Sequence, residues 1–403
     1  MRVLIIGNGV AGTMAAKTLR ELEPQVEIGI LSDEKYPYYP RPNLIEYLAG
    51  QRPQDKMFAF PEDWNIRQRI EIKLSTPVIA IDPEKKEIEL SGGKKEKFDY
   101  LLLAVGARAS RPPLKGIELS GVFTLRTLDD AIQILDYLTN CQHVVVIGGG
   151  LLGLEIARAL KMREVEVTVI EFFDRLLPRQ LDPVGANLLQ RQIEAMGIKV
   201  LLGQVTEEIL GQGQVKGVRL KSGQTIEAQM VLIAAGIKPN LELAQMAGLK
   251  INKGVLVDDY LKTSHPSIFA AGDLVEHRGR LYGIIPAAFD QARSAAYNLL
   301  GQIKPYEGTV PSNSLKVMGI SLTSVGLIQA EGEDYEELAK IDEERGLYKK
   351  IILQKGRLVG AIWMGTKKGI NEIVRAVTLR KDVTAWKEAI LEEDFNFSLL
   401  NSS

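Results

Sequence analysis

The chain has 403 residues, and at roughly 150 residues per domain that exceeds one core, so two or three packed units are expected. Apolar residues make up 45% and charged ones 25%, close to the globular average, which excludes disorder, and 50 Lys and Arg against 51 Asp and Glu give a net charge of -1, which supplies no drive toward nucleic acid or an anionic membrane. The single cysteine, Cys141, excludes within one chain intramolecular disulfides, dithiol redox pairs, Cys-ligated iron-sulfur clusters and Cys-rich zinc sites.

The strand-like segment from Arg2 to Ile6 follows no charged leader or apolar h-region, and no apolar run reaches the length of a membrane span, so a cytosolic protein is expected. Val3 to Ile6 is a short apolar run, followed by Gly7-Asn8-Gly9-Val10-Ala11-Gly12 and an Ala- and Leu-rich stretch, Thr13 to Leu22. The order is strand, glycine turn, helix. Residues 70 to 104 then alternate short strands with turn signals at Asp82-Pro83 and Ser91-Gly92-Gly93, ending in the run Tyr100 to Val105. The whole pattern recurs 141 residues on. His143 to Ile147 is a β-branched strand, Gly148-Gly149-Gly150-Leu151-Leu152-Gly153 the turn, and Leu154 to Met162 the helix. Residues 198 to 234 repeat the meander, with turns at Gly211 to Gly213 and Ser222-Gly223 and a last run Met230 to Ala235. After Gly301 the character changes. Residues 305 to 403 hold a hairpin-like pair around Lys355-Gly356, acidic stretches such as Glu331 to Glu337 and no nucleotide motif; Asn401-Ser402-Ser403 is expected to fray.

In such a unit the first glycine permits the tight turn, the second lets the backbone approach a pyrophosphate, and the third lets the helix pack on the strand. Gly7, Gly9 and Gly12 take these roles in the first copy, and Gly148, Gly150 and Gly153 in the second. A phosphate then sits at the helix N-terminus, where free N–H groups and the helix dipole favour negative charge. Glu171 ends the strand Glu166 to Ile170, 23 residues after Gly148, near the spacing of an acid that accepts from the adenosine ribose hydroxyls. It favours NAD and repels the extra phosphate of NADP, an effect that Arg175, four residues on, would soften. In the first copy the strand Val26 to Leu31 leads to Ser32-Asp33-Glu34, and Glu34 is the expected ribose contact.

Further segments carry a family pattern. Thr263 to Asp273 reads TSHPSIFAAGD and resembles the second FAD fingerprint of flavoproteins with two dinucleotide domains, in which the final acid, here Asp273, contacts the ribityl and pyrophosphate region. Ala104-Val105-Gly106 resembles the turn that returns the chain from the FAD domain, and Ala235-Gly236-Ile237-Lys238-Pro239-Asn240 its counterpart in the NAD domain. Tyr38-Tyr39-Pro40-Arg41-Pro42 is similar to the loop whose Arg and Pro line the FAD pyrophosphate and flavin, and Thr124-Leu125-Arg126-Thr127 also fits. The chain therefore resembles the pyridine nucleotide-disulfide oxidoreductase superfamily. Within it, the Arg41-Pro42 loop, the segment Pro311 to Lys316 and the short C-terminal domain are most similar to the NADH:rubredoxin oxidoreductases and the flavin portion of assimilatory nitrite reductases.

The resemblance implies an α/β fold of two Rossmann-like domains, with a discontinuous FAD-binding domain (1–110 and 241–305), an inserted NAD-binding domain (111–240) and a small α+β C-terminal domain (306–403). It also implies that Pro286 to Leu300 forms a helix whose N-terminus faces the flavin, where the dipole would stabilise the anionic reduced form. Relatives that act through thiols place a Cys-x4-Cys pair after the first glycine motif or one Cys near residues 42 to 46, where this chain reads Pro42-Asn43-Leu44-Ile45-Glu46. Cys141 cannot substitute, because it precedes its strand, at the end opposite the ligand-binding edge.

Glu155, two residues past Gly153, falls where the resembled family reaches the nicotinamide and flavin N5, and Glu46 stands where many relatives carry Lys. Either the two carboxyl groups face one dry pocket and share a proton, or Glu46 turns to solvent. His143, His265 and His277 show no carboxylate or second His at ligand spacing and read as a strand start and two loops, and Trp363 reads as core. The expected function is transfer of electrons between NADH and a separate one-electron carrier, a rubredoxin or ferredoxin-type iron-sulfur protein, through FAD and without a protein thiol. A flavin- and NAD-binding redox sensor or interaction scaffold is the alternative.

Overall fold

Short continuous apolar runs bounded by glycine turns are stable in a parallel sheet covered on both faces, and the chain builds two of them. The computed structural model describes residues 1–310, 312–330 and 332–401, without the side chains of 312–317. Pro311 and the side chains of the Ser312 to Lys316 segment, Glu331, and Ser402 and Ser403 at the expected frayed end lie outside the described residues. Two units form, one of residues 1–47, 52–109 and 236–309, the other of 48–51, 110–235 and 310–403.

In the first unit a five-stranded parallel sheet runs in the order Ile268–Ala270, Tyr100–Leu103, Arg2–Ile6, Glu27–Leu31, Ile70–Lys73. Ile70–Lys73 was expected in the meander and instead forms the sheet edge; its short, half-apolar sequence does not distinguish the two. The meander proper is Val78–Asp82, Glu87–Leu90 and Lys95–Lys97. The glycine-turn helix covers Val10–Leu22, starting three residues before its Ala- and Leu-rich stretch because Gly9 takes the extended cap geometry (φ -85°, ψ -168°). Against it packs the helix Ile285–Leu299. Ala11, Ala15, Ala16 and Leu19 on one share a core with Ala288, Ala292, Ala295, Ala296 and Leu299 on the other, small side chains at helical spacing that let the two backbones approach closely.

The second unit repeats this sheet in the order Val122–Phe123, Met230–Ile233, His143–Ile147, Glu166–Ile170, Lys199–Leu201, again all parallel. Its edge strand comes from before the glycine turn, whereas the corresponding strand Ile268–Ala270 of the first unit comes from after the whole parallel sheet of the second. The meander is Thr206–Gln212, Gln214–Leu220 and Thr225–Glu227, and the turn helix is Leu151–Lys161.

The C-terminal part of the second unit is a five-stranded antiparallel sheet, in the order Ser312–Val317, Ile320–Gly326, Arg357–Met364, Leu347–Gln354, Tyr335–Asp342. The helix Ile370–Thr378 shares its core. The Lys355-Gly356 hairpin forms as expected, with φ +52° and +78°, both left-handed as a two-residue link between twisted strands requires. Trp363 is 1% exposed in this core, with the Lys349 ammonium 5.1 Å from its ring centroid. The protein is thus α/β, with two Rossmann-like sheets and a small α+β domain. Among the described residues no helix is long and apolar enough to cross a membrane.

Candidate functional site

The two glycine turns have the same anatomy. A Cβ on Gly12 would lie 1.9 Å from the Gly7 carbonyl oxygen, and one on Gly153 1.9 Å from that of Gly148. Each third glycine is therefore demanded by its own turn. Gly7 (φ +112°) and Gly148 (φ +116°) need a left-handed backbone and also abut the carbonyls of Ala104 and Ala234, 2.3 and 2.5 Å from where a Cβ would be. At Gly9 and Gly150 the result is opposite, since nothing lies within 4 Å of an added Cβ. These two glycines serve something other than the protein's own packing. Both are helix N-caps with no side-chain cap, leaving first-turn N–H groups for a ligand. An open cradle at an uncapped helix N-terminus fits a dinucleotide pyrophosphate in each unit.

Glu171 is 6% exposed. One carboxylate oxygen accepts the Gly149 N–H at 2.5 Å and the other the Phe173 N–H at 2.8 Å, so the expected ribose-binding acid also pins the turn. Gly149, to which sequence reading gave no role, must be small, because a Cβ there would lie 2.7 Å from Leu176 and 3.0 Å from Glu171. Phe172 and Phe173 follow as an edge-to-face pair, 64% and 51% exposed; two adjacent aromatics after the acid were a legible signal. Arg175 reaches Asp174 at 3.3 Å.

In the first unit Glu34 and Arg41, expected as separate cofactor contacts, are brought together as an ion pair, with the Tyr39 hydroxyl donating to Glu34 at 2.6 Å. Six residues of loop between them hid this in the sequence. Pro42 lies in the turn that starts the short helix Asn43–Leu48. The fingerprint turn before Asp273 is fixed by the Gly272 N–H, which donates at 2.8 Å to Gln291, a side chain 1% exposed on the Ile285–Leu299 helix. Pro286 sits in the first turn of that helix, whose N-cap, Ile284, offers no side-chain cap. Gly106 and Gly236 take φ +63° and +88°, and the segments they open, Ala107–Ala109 and Ile237–Pro239, pair antiparallel. The Arg126 N–H donates to Asp130 at 2.8 Å, beside the Thr127-Asp130 capping box of the helix Leu128–Leu138.

The two expected catalytic carboxylates each make a contact within their own unit. Glu46 pairs with Arg52 at 2.6 Å, a guanidinium the sequence reading did not weigh, and Glu155 accepts the Met318 N–H at 2.6 Å. Cys141 lies at the start of its strand, beside a polar hollow of about 660 Å³ whose lining includes none of the nucleotide-binding residues. Burial raises its thiol pKa, which lowers the share of reactive thiolate. His143 opens its strand as expected and lies 3.3 Å from Glu166, its register partner on the next strand, whereas His277, expected in a loop, is fully buried on the strand Val275–His277, 2.8 Å from Asp259.

The pyridine nucleotide-disulphide oxidoreductase family matches residues 1–292. The chain belongs to that family. Members use FAD and NAD(H). The C-terminal domain of rubredoxin NAD+ reductases matches residues 311–381. The family member is 34% identical over 385 residues to a nitrite reductase [NAD(P)H] of Bacillus subtilis, covering 95% of this chain but 48% of that protein. It thus spans about half that relative's length. It is also 34% identical over 346 residues to a rubredoxin-NAD(+) reductase of Pseudomonas putida, covering 84% of this chain and 89% of the relative. The crystal structure of a ferredoxin reductase from Rhodopseudomonas palustris superposes with a TM-score of 0.90 at 30% identity, over 100% of both chains.

Proposed function

We propose that the protein is an FAD-dependent NADH oxidoreductase that exchanges electrons with a separate small iron-sulfur carrier of the rubredoxin or ferredoxin type. The observation that carries this is the combination of two dinucleotide cradles with a single cysteine, raised in pKa by burial, that precedes a five-residue strand whose far end opens the glycine turn. Such a strand is about 17 Å long, too far for a thiol relay at the cradle. The C-terminal match and the rubredoxin and ferredoxin reductase relatives support the choice of carrier.

FAD, when bound, supplies the conversion between two-electron and one-electron transfer. The chain's residues hold and orient. Gly7, Gly9, Gly12, Glu34, Arg41, Pro42, Ala104, Gly106, Asp273 and Pro286 belong to the FAD site, and the uncapped Ile285–Leu299 helix directs its positive end at negative charge. Gly148, Gly150, Gly153 and Glu171 belong to the NAD site, and Glu155 contacts the nicotinamide. Glu46, held by Arg52, is a charge near the start of the Asn43–Leu48 helix.

Anaerobic addition of NADH to the FAD-loaded protein, followed by rubredoxin or a [2Fe–2S] ferredoxin, tests the proposal. Fast bleaching of the flavin with catalytic reduction of either carrier is expected. Slow reduction to a persistent charge-transfer complex, with neither carrier turned over, would overturn it in favour of a redox sensor.

A further inference from the structure

The strands Ser312–Val317 and Ile320–Gly326 are joined by two residues, Met318 and Gly319, at φ +55° and +86°. Both positions are left-handed, the geometry a two-residue hairpin link prefers; glycine takes it freely and methionine is strained there. Hairpin tips ordinarily point into water. Here the first of the two, Met318, is only 2% exposed, while Gly319 is exposed.

The tip lies on the Leu151–Lys161 helix of the same unit, where the Met318 N–H donates to Glu155 Oε1 at 2.6 Å. The second carboxyl oxygen of Glu155 lies 3.8 Å from Arg158, one turn on, and the two side chains are 20% and 21% exposed. A backbone donor aimed at a carboxylate gives a short, directional, charge-assisted bond. The sheet behind the tip is itself anchored to the same α/β body, because Asp182 accepts from the Tyr348 hydroxyl at 2.6 Å and from Lys350 at 2.9 Å. A buried, strained tip residue and an independent anchor serve one placement.

We propose that the Met318 tip is a positioning element for Glu155, so that the C-terminal domain, which carries no nucleotide motif, orients the carboxylate that contacts the nicotinamide. The inference rests on the role given to Glu155 above. It makes hydride transfer depend on a domain that holds neither cofactor motif.

The test is a two-by-two set in the full-length, FAD-loaded protein. Replacing Met318 by its α-hydroxy analogue converts one amide to an ester, deleting the donor and leaving every side chain in place, and Glu155→Ala deletes the acceptor. Stopped-flow flavin reduction at several NADH concentrations gives the limiting rate and the NADH dissociation constant, and the absorbance of the reduced flavin–NAD+ charge-transfer band reports ring orientation. The ester is expected to slow reduction about tenfold, which is roughly 1.4 kcal/mol of barrier, to change the dissociation constant less than twofold, to weaken the charge-transfer band, and to add less than twofold to the Glu155→Ala loss. If the ester slows the Glu155→Ala protein as much as the wild type, the tip does not act through Glu155; the inference fails and the reading of Glu155 stands. If Glu155→Ala reduces its flavin at the wild-type rate, the reading of Glu155 fails and the inference with it. Gly319→Val, which strains the tip at φ +86°, provides the same comparison by ordinary expression should the ester protein not fold.

Discussion

Lys350, on the strand Leu347–Gln354, donates to Asp182 at 2.9 Å across 168 residues of sequence, with both side chains almost wholly buried. Asp182 is also the N-cap of the helix Pro183–Ala195, accepting the Gly185 N–H at 2.9 Å, so one carboxylate ends a helix and holds the C-terminal sheet. Breaking a buried pair leaves a charge without its counterion, a loss of about 3–5 kcal/mol, whereas replacing both partners with apolar groups is far milder. Lys350→Met should therefore lower the urea midpoint of the second unit much more than Lys350→Met with Asp182→Leu does, once the lost N-cap, worth about 1 kcal/mol, is allowed for. Equal losses would show that the pair contributes little.

The glycines of the first turn should separate by function. Gly9→Ala meets no atom within 4 Å at an ordinary φ of -85°, so apoprotein stability should change by less than about 1 kcal/mol while FAD content and affinity fall at least tenfold. Gly12→Ala collides with the Gly7 carbonyl at 1.9 Å and should lose both. Denaturation of the apoproteins and flavin content of the purified proteins distinguish the two.

Glu171 should set the preference for NADH. A carboxylate against a 2′-phosphate is a like-charge juxtaposition worth several kcal/mol, so discrimination of at least one to two decades is expected in kcat/KM. Glu171→Gln should narrow that gap about tenfold and also weaken NADH binding, because an amide cannot accept both the Gly149 and Phe173 N–H groups without turning its NH2 toward one of them. A wild-type preference for NADPH would show that Arg175 decides the specificity.

Asp259 gives the acid limb of stability a definite sign. Hydrogen bonds from Arg278 and then His277 hold its pKa at about 2, below the ordinary 3.8. A depressed folded-state pKa stabilises above the unfolded value and loses that contribution as pH falls through the folded one. Asp259→Asn should therefore lower Tm at neutral pH, and its difference from wild type should shrink between about pH 4 and pH 2. A difference that grows on acidification would contradict this.

Cys141→Ser should leave NADH-driven flavin reduction and carrier turnover within about twofold, roughly 0.4 kcal/mol of barrier. A hundredfold loss in a folded, FAD-loaded variant would mean that the thiol takes part.

The sequence by itself determined the two glycine turns, the strands and helices they join, the acid after each second strand and the absence of a thiol pair, because each is a local event: a left-handed glycine, a β-branched run, an uncapped helix start. Only the tertiary structure decided which groups meet. Ile70–Lys73 joined a sheet rather than a meander, Glu34 closed on Arg41, His277 found Asp259, and Glu155 received a hydrogen bond from a hairpin tip 163 residues away. Strand register and helix docking set these contacts, and both depend on the burial of apolar faces far apart in the chain, which no window of neighbouring residues encodes.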